Sequence, residues 1–178
     1  MQSVARAAPG FQKYRLFTEY YIHPNAPESA RMPNLTLSAA SKIATVALQE
    51  GRRLALAPLT VVVLDAGGHV VTAMREDGSG ILRFEIAYGK AWGALGMGFG
   101  TRELADRAAK SPAFLTAISA ASAGRTIPSP GGVLILAGNG SVVGAVGISG
   151  DTGDRDEACA LTGIQAAGLA GAPGIPPR

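Results

Sequence analysis

From residue 36 onward, the hydrophobic positions switch between a helical period and a strand period. Residues 36–54 carry alanine, isoleucine and valine at helical spacing, with Thr36 as N-cap, which predicts a long helix. Residues 59–64 and 69–74 are rich in valine, and the turn sequence Asp-Ala-Gly-Gly at 65–68 joins them. This part of the chain is therefore predicted to be a helix followed by a β-hairpin.

The pattern then predicts more helices and a second hairpin. These elements are helices over 83–97 and 101–123, strands over 133–137 and 142–148, and a last helix that follows residues 151–154 and ends at Gly171. Two hairpins in one antiparallel sheet, with helices on its faces, make a single α+β layered domain. The loops are too short for the crossovers of a Rossmann fold.

The ends of the chain differ from this domain, which spans residues 36–172. The arm, residues 1–35, holds five of the nine phenylalanine and tyrosine residues, and the X-Pro steps at 23–24, 26–27 and 32–33 break any helix there. We expect it to pack on its own domain, on a neighbouring subunit, or over a ligand. Residues 173–178 form a proline-rich tail.

Composition excludes several classes of protein. The chain is 47% hydrophobic and 16% charged, with a net charge of +3, and it has no basic stripe of the kind that binds nucleic acid. Its single cysteine excludes an intrachain disulfide. It carries neither a signal-peptide pattern nor an apolar run long enough to span a membrane, so a cytoplasmic location is expected.

Two basic residues are candidates for chemistry. Lys90 lies in an apolar helix segment, where desolvation lowers the pKa of an amine and suits it to act as a base or Schiff-base nucleophile. A lysine in this setting also reaches solvent or pairs with a carboxylate such as Asp77 or Glu85. Arg75, at the exit of a strand, is suited to bind a carboxylate, or it is a solvated strand end.

Acidic and glycine residues supply further candidates. Asp156 and Glu157 belong to an acidic cluster at a helix start, where they either cap the helix or face a cleft. In a cleft, one of them would pair with Arg75 or Lys90 or act as a general base. Gly131 and Gly132 offer backbone N–H groups to an anionic ligand. No metal site is predicted, since a zinc site would need His69 combined with carboxylates brought in by assembly.

Four segments resemble the GlcG/HbpS family: LTLSAASKIATVALQEGRRL, TVVVLDAGGHVVTAMREDG, AYGKAWGALGMGFGTRELAD and GGVLILAGNGSVVGAVGISGDTGDRDEACALTG. The resemblance implies a profilin-like layered fold, a homo-oligomer between dimer and octamer, and binding of haem or a corrinoid. It also implies that Thr101 takes the position of an iron-ligating threonine. Met97 and Phe99 would then line the cleft, and Arg75 or Lys90 would hold the propionates.

Three functions stay open from the sequence. The first is a protein that binds haem or a related tetrapyrrole in a cleft at or near a subunit interface. The second is an enzyme, of lyase or isomerase type, that acts on a small carbonyl or carboxylate metabolite with Lys90, Arg75 and an acidic proton partner, Asp156 or Glu157. The third is a structural subunit of an assembly.

Overall fold

The computed structural model describes residues 35–175. Within this range lie five helices and five strands: α1 (Leu37–Arg53), β1 (Thr60–Asp65), β2 (Val70–Arg75), α2 (Arg83–Met97), α3 (Thr101–Lys110), α4 (Pro112–Ala121), β3 (Gly132–Leu136), β4 (Val142–Ser149), α5 (Gly153–Ala166) and β5 (Ala170–Ala172). The predicted arm (residues 1–35) falls outside the described residues except for Leu35, as do the last three residues of the tail.

The strands form one antiparallel sheet in the order β2-β1-β4-β3-β5. The predicted α+β layered fold with two hairpins is confirmed. The expectation that the last helix runs to Gly171 is wrong, because this helix ends at Ala166 and the chain returns to the sheet as the edge strand β5. The sequence Ala-Gly-Ala has no strand propensity of its own, so pairing with β3 defines this strand.

Helices α1 and α5 cover one face of the sheet. The N-cap prediction is confirmed, since the Thr36 hydroxyl accepts a hydrogen bond from the backbone N–H of Ala39. Because side chains alternate along a strand, Val61 and Val63 of β1 point into this layer. They meet buried residues of both helices, among them Ile43 and Ile164.

Helix α2 packs across β1, β4 and β3 on the opposite face. Small residues let it approach the sheet closely: a Cβ atom on Gly147 of β4 would overlap the carbonyl oxygen of Ala87. Ala87 and Ala91 contact Val62 and Leu64 of β1 in a second, smaller core. This close approach fixes the distance of the α2 backbone from the sheet.

The predicted single helix over 101–123 is wrong. It is two helices, α3 and α4, that meet at Ser111 and Pro112, because a proline disfavours helical backbone in the residue before it. Within residues 35–175, no helix is both long and apolar enough to cross a bilayer.

Candidate functional site

Lys90 and Asp156 form a buried ion pair. The Lys90 ammonium lies 2.9 Å from the Asp156 carboxylate and donates a second hydrogen bond, of 2.8 Å, to the carbonyl oxygen of Ile148. The two side chains are only 3% and 1% exposed. The pair joins α2, on one face of the sheet, to α5 on the other face.

Burial dominates the protonation of this pair. It lowers the pKa of Lys90 and raises the pKa of Asp156, and the attraction between the two charges opposes both shifts. A Cβ atom on Gly131 would lie 3.0 Å from the Lys90 nitrogen, so Gly131 leaves room for the amine. Lys90 is therefore enclosed by its own fold.

Glu157 lies beside this pair. Its Oε1 accepts a 2.9 Å hydrogen bond from Arg102, which also contacts Asp154 at 2.5 Å. Its Oε2 is buried and has no hydrogen-bond partner among residues 35–175. Desolvation raises the pKa of Glu157, and Arg102 opposes that shift.

Thr101 is fully buried at the start of α3. Its hydroxyl accepts a 2.8 Å hydrogen bond from the N–H of Gly132 and donates a 3.3 Å bond to the carbonyl of the same residue. Strand β5 pairs with β3 only from Leu134 onward. The Thr101 hydroxyl therefore supplies the hydrogen bonds of the β3 backbone at Gly132, where β5 does not reach. The Thr101 hydroxyl thus both donates and accepts a hydrogen bond within the protein, and the Gly132 N–H donates its own to this hydroxyl.

Arg75 lies apart from Lys90 and Gly132. It is exposed on the edge strand β2, where it donates a hydrogen bond to the carbonyl of Ser79. Neighbouring strands are about 4.8 Å apart, so the order β2-β1-β4-β3 puts about 14 Å between the strands that carry Arg75 and Gly132.

The remaining candidates lie near the C-terminal end of α2. Met97 and Phe99 are half-buried. The Arg107 guanidinium lies 4.3 Å from the centre of the Phe99 ring, in a cation–π contact. Phe99 is therefore already covered on one side by its own chain.

On the α2 side of the sheet, no helix of the described part of the chain covers strand β2. The register places Arg75 opposite Thr60, Ala73 opposite Val62, and Val70 opposite Leu64. Val62 and Leu64 face α2, so their partners on β2 face the same side. All three of these β2 residues are exposed, which leaves an open strip of sheet along the flank of α2.

Three aromatic residues line the flank of α2 at a spacing of four. Phe84 and Tyr88 stack with ring centroids 6.4 Å apart, and Trp92 continues the row one turn later. Trp92 borders the β1–β2 turn, since a Cβ atom on Gly68 would lie 3.5 Å from its indole. We call this surface the aromatic trough; it comprises Val70, Ala73, Phe84, Tyr88 and Trp92.

Arginines lie at both ends of the aromatic trough. Arg83 and Arg75 lie at the end where α2 begins. Arg83 donates a 3.2 Å hydrogen bond to Ser149. Ser149 and Arg75 both pair with Thr60, so the two arginines lie at the same level of the sheet. At the other end, the Arg125 guanidinium lies 4.4 Å from the centre of the Trp92 ring. Sequence reasoning missed this surface, although the i, i+4, i+8 aromatic spacing was a usable signal.

The β1–β2 turn at the Trp92 end holds a histidine–carboxylate pair. The His69 Nδ1 atom lies 3.3 Å from both carboxylate oxygens of Asp65. Among the described residues, no group of three or more histidine, cysteine or acidic side chains is arranged to hold a metal ion.

These features define an antiparallel sheet with helices on both faces, a buried lysine–aspartate pair at one end, and an open aromatic surface along one edge. Residues 35–165 match the model of the family described as haem-degrading protein HbpS-like. The chain belongs to this family.

Individual relatives agree with this assignment. The chain is 31% identical, over 138 residues, to an uncharacterized 15.0 kDa protein from the dhaT–dhaS intergenic region of Citrobacter freundii; the match covers 77% of this chain and 94% of that protein. The crystal structure of the PduOC:heme complex matches at a TM-score of 0.70 and 26% identity, covering 77% of this chain and 97% of that one. The crystal structure of HbpS matches at a TM-score of 0.66 and 30% identity, covering 81% of this chain and 97% of that one.

Proposed function

We propose that this protein binds haem or a related tetrapyrrole in the aromatic trough. Two findings about relatives support a ligand of this class. The family carries the description haem-degrading, and PduOC has been crystallised with heme.

The arrangement of aromatic side chains between arginines carries the proposal. A tetrapyrrole is a flat apolar ring system with carboxylate side arms, so it needs a stacking platform with cations near the rim. Phe84 and Tyr88 provide the platform, and Trp92, which has Arg125 over one face of its ring, bounds one end of it. The arginines at both ends match the charge of the carboxylates. Phe84 remains 38% exposed, so the platform is open to a ligand.

Two residues that the family resemblance implies as ligands, Thr101 and Lys90, have internal partners in this structure. Thr101 is fully buried and its hydroxyl is committed to Gly132, so it is not open to an iron atom. Lys90 is committed to Asp156 and Ile148, so it is not open to a propionate. The aromatic trough fits the ring and carboxylates instead.

Bound haem would supply a redox-active iron, while the described residues bind and orient the ring. The trough is open along one side, and a second copy of the chain in a homo-oligomer would close it. The Lys90 side chain is 3% exposed and bonded to Asp156 and Ile148, so within residues 35–175 the geometry supports binding better than lysine-based catalysis.

A hemin titration tests the proposal. Micromolar hemin should show a shifted Soret band when purified protein is added. The double variant Phe84→Ala with Tyr88→Ala should bind hemin roughly tenfold or more weakly, because the porphyrin ring loses the aromatic side chains on which it stacks. Phe114→Ala is the matched control, since Phe114 is 43% exposed on α4, outside the trough. No Soret shift with the unaltered chain would refute the function, and equal losses in both variants would refute the site.

A further inference from the structure

The two edges of the sheet differ in how they are protected. Strand β5, at one edge, has three residues and is followed by Pro173, whose carbonyl oxygen accepts a 3.3 Å hydrogen bond from the N–H of Arg102 in α3. A short strand, a proline and a covering element are devices that keep an edge from pairing with another chain. Strand β2, at the other edge, has six residues, and the segment Val70–Met74 contains neither a charge nor a proline.

The backbone of β2 directs hydrogen-bonding groups away from β1. The Glu76 N–H donates a 3.0 Å hydrogen bond to the carbonyl oxygen of Leu59, just before β1. Because successive residues of a strand alternate in the side to which they point their N–H and C=O groups, Ala73 and Arg75 point theirs toward the open edge. The register shift between β1 and β2 lies at the Val70 end, so the alternation is regular here. Within residues 35–175, no strand pairs with that side of β2.

Exposed apolar side chains lie beside both ends of this edge. Val70, at the start of β2, is 48% exposed. At the Arg75 end, Ile81 and Leu82 in the connection to α2 are 91% and 63% exposed. Large apolar side chains that are exposed together mark a surface that another protein covers. Antiparallel pairing of two β2 strands brings the Val70 end of each copy to the Arg75 end of the other, so the surface complements itself.

The charge on β2 favours a second copy in this antiparallel orientation. Arg75 is the single charged residue of the strand. A parallel copy would bring two Arg75 side chains directly opposite each other, where like charges destabilise the pairing. In an antiparallel copy the two arginines lie at different levels, and the uncharged segment Val70–Met74 meets the same segment of the partner. A two-fold axis generates this arrangement, and it is the commonest symmetry of protein dimers.

We infer that two copies of this chain pair through their β2 edges about a two-fold axis, which joins their five-stranded sheets into one antiparallel sheet. The axis lies perpendicular to the sheet within Thr72–Met74, so both α2 helices are on the same side. Five steps of about 4.8 Å, or about 24 Å, separate the two β4 strands beneath these helices. The partner's β2 then extends the floor of the aromatic trough, and the partner's α2 forms a second wall. The pairing does not rest on the proposed function, and its test needs no hemin.

Sedimentation of the full chain, with and without a proline at the edge, tests the pairing. The unaltered chain should sediment as a dimer or a multiple of a dimer. Ala73→Pro removes an N–H that points away from β1, and a proline is tolerated at such edge positions, so the variant should keep the circular dichroism of the unaltered chain. Each copy loses one main-chain hydrogen bond to its partner, so the dissociation constant of the dimer should rise about tenfold or more.

A cysteine scan tests the same contact without a proline. A two-fold antiparallel pair brings one residue of β2 beside the same residue of its partner. One of the variants Thr72→Cys, Ala73→Cys and Met74→Cys should therefore form a disulfide-linked dimer on mild oxidation. The native cysteine, Cys159, is buried and does not compete. Thr116→Cys, exposed on α4, is the matched control and should stay unlinked.

Hydrogen exchange completes the test, because the Ala73 and Arg75 amides should become protected as dimers form. A chain that sediments as a monomer with these amides unprotected leaves the edge unpaired. Protection of both amides in a monomer assigns the edge to the arm instead. A dimer that links through Thr116→Cys, and through none of the three β2 positions, assigns the contact to α4. Each of these three results overturns the inference.

Discussion

The Lys90 ammonium lies 2.9 Å from the Asp156 carboxylate, and the two residues are 66 positions apart in the chain. The contact spans the sheet, because α2 and α5 lie on opposite faces. Two desolvated charges in this position are costly unless each keeps its partner. The pair therefore makes the packing of the two helical layers depend on both residues.

Removal of one partner should destabilise the protein strongly. In Lys90→Met the Asp156 carboxylate stays buried without its cation, and the free energy of unfolding should fall by about 3–5 kcal/mol. Urea unfolding at pH 7 measures this change. Arg53→Met is the control, because it breaks an exposed pair with Glu50 and should change stability little.

The double variant Lys90→Met with Asp156→Leu completes this test. It removes both charges, so most of the lost stability should return. If Lys90→Met alone is as stable as the unaltered chain, the pair does not couple the layers.

Thr101→Val should expose the structural role of the Thr101 hydroxyl. The substitution keeps the shape but leaves the Gly132 N–H and carbonyl without their partner, at a cost of about 1–3 kcal/mol. Thr101→Ser retains the hydroxyl and should retain most of the stability. Hemin affinity should be the same in the folded valine variant as in the unaltered chain; a selective loss of hemin binding there would restore the ligand role implied by the family resemblance.

Gly147→Ala should disrupt the packing of α2 on the sheet. The added methyl group would overlap the Ala87 carbonyl, and neither backbone can move without shifting a packed layer. A loss of roughly 1–3 kcal/mol or more is expected, which calorimetry would record as a lower Tm. Gly138→Ala places a methyl group where nothing lies within 4 Å, so it should leave Tm nearly unchanged.

Glu157 should make stability depend on pH. Its pKa is raised above the ordinary value of 4.5 in the folded state, so the folded protein holds a proton that the unfolded chain releases. Between pH 4.5 and the higher pKa of the folded state, the free energy of unfolding therefore falls as pH rises. Glu157→Gln lacks this titration, so its stability relative to the unaltered chain should be higher at pH 7 than at pH 4.5. If the difference in stability between Glu157→Gln and the unaltered chain is the same at pH 4.5 and pH 7, Glu157 does not titrate in this way.

The sequence predicted local structure well where local signals act. The helix over 83–97 has the bounds expected from its pattern, and Thr36 caps α1 as its residue type indicates. Pro112 is itself a local signal for the break between α3 and α4, but the apolar pattern over 101–123 was given more weight in the prediction of a single helix. Strand β5 had none, because its pairing with β3 is a tertiary contact.

The candidate site depended more on distant contacts. Lys90 was expected to reach solvent or to pair with a carboxylate such as Asp77 or Glu85. A second alternative paired Asp156 or Glu157 with Arg75 or Lys90, and the structure has the pair of Lys90 with Asp156, which comes from another layer. Spacing along the chain does not encode such a contact. The row from Phe84 to Trp92 was readable from spacing alone, whereas its place beside the open face of β2 required the strand order.

The chain has a single tryptophan, Trp92, which lies between the turn that carries His69 and the Arg125 guanidinium. Indole emits light in a range where porphyrins absorb, and transfer of excitation energy falls steeply with distance. A porphyrin seated in the trough would therefore darken the protein's intrinsic emission almost completely. The native chain thus carries its own optical probe of occupancy, with no label required.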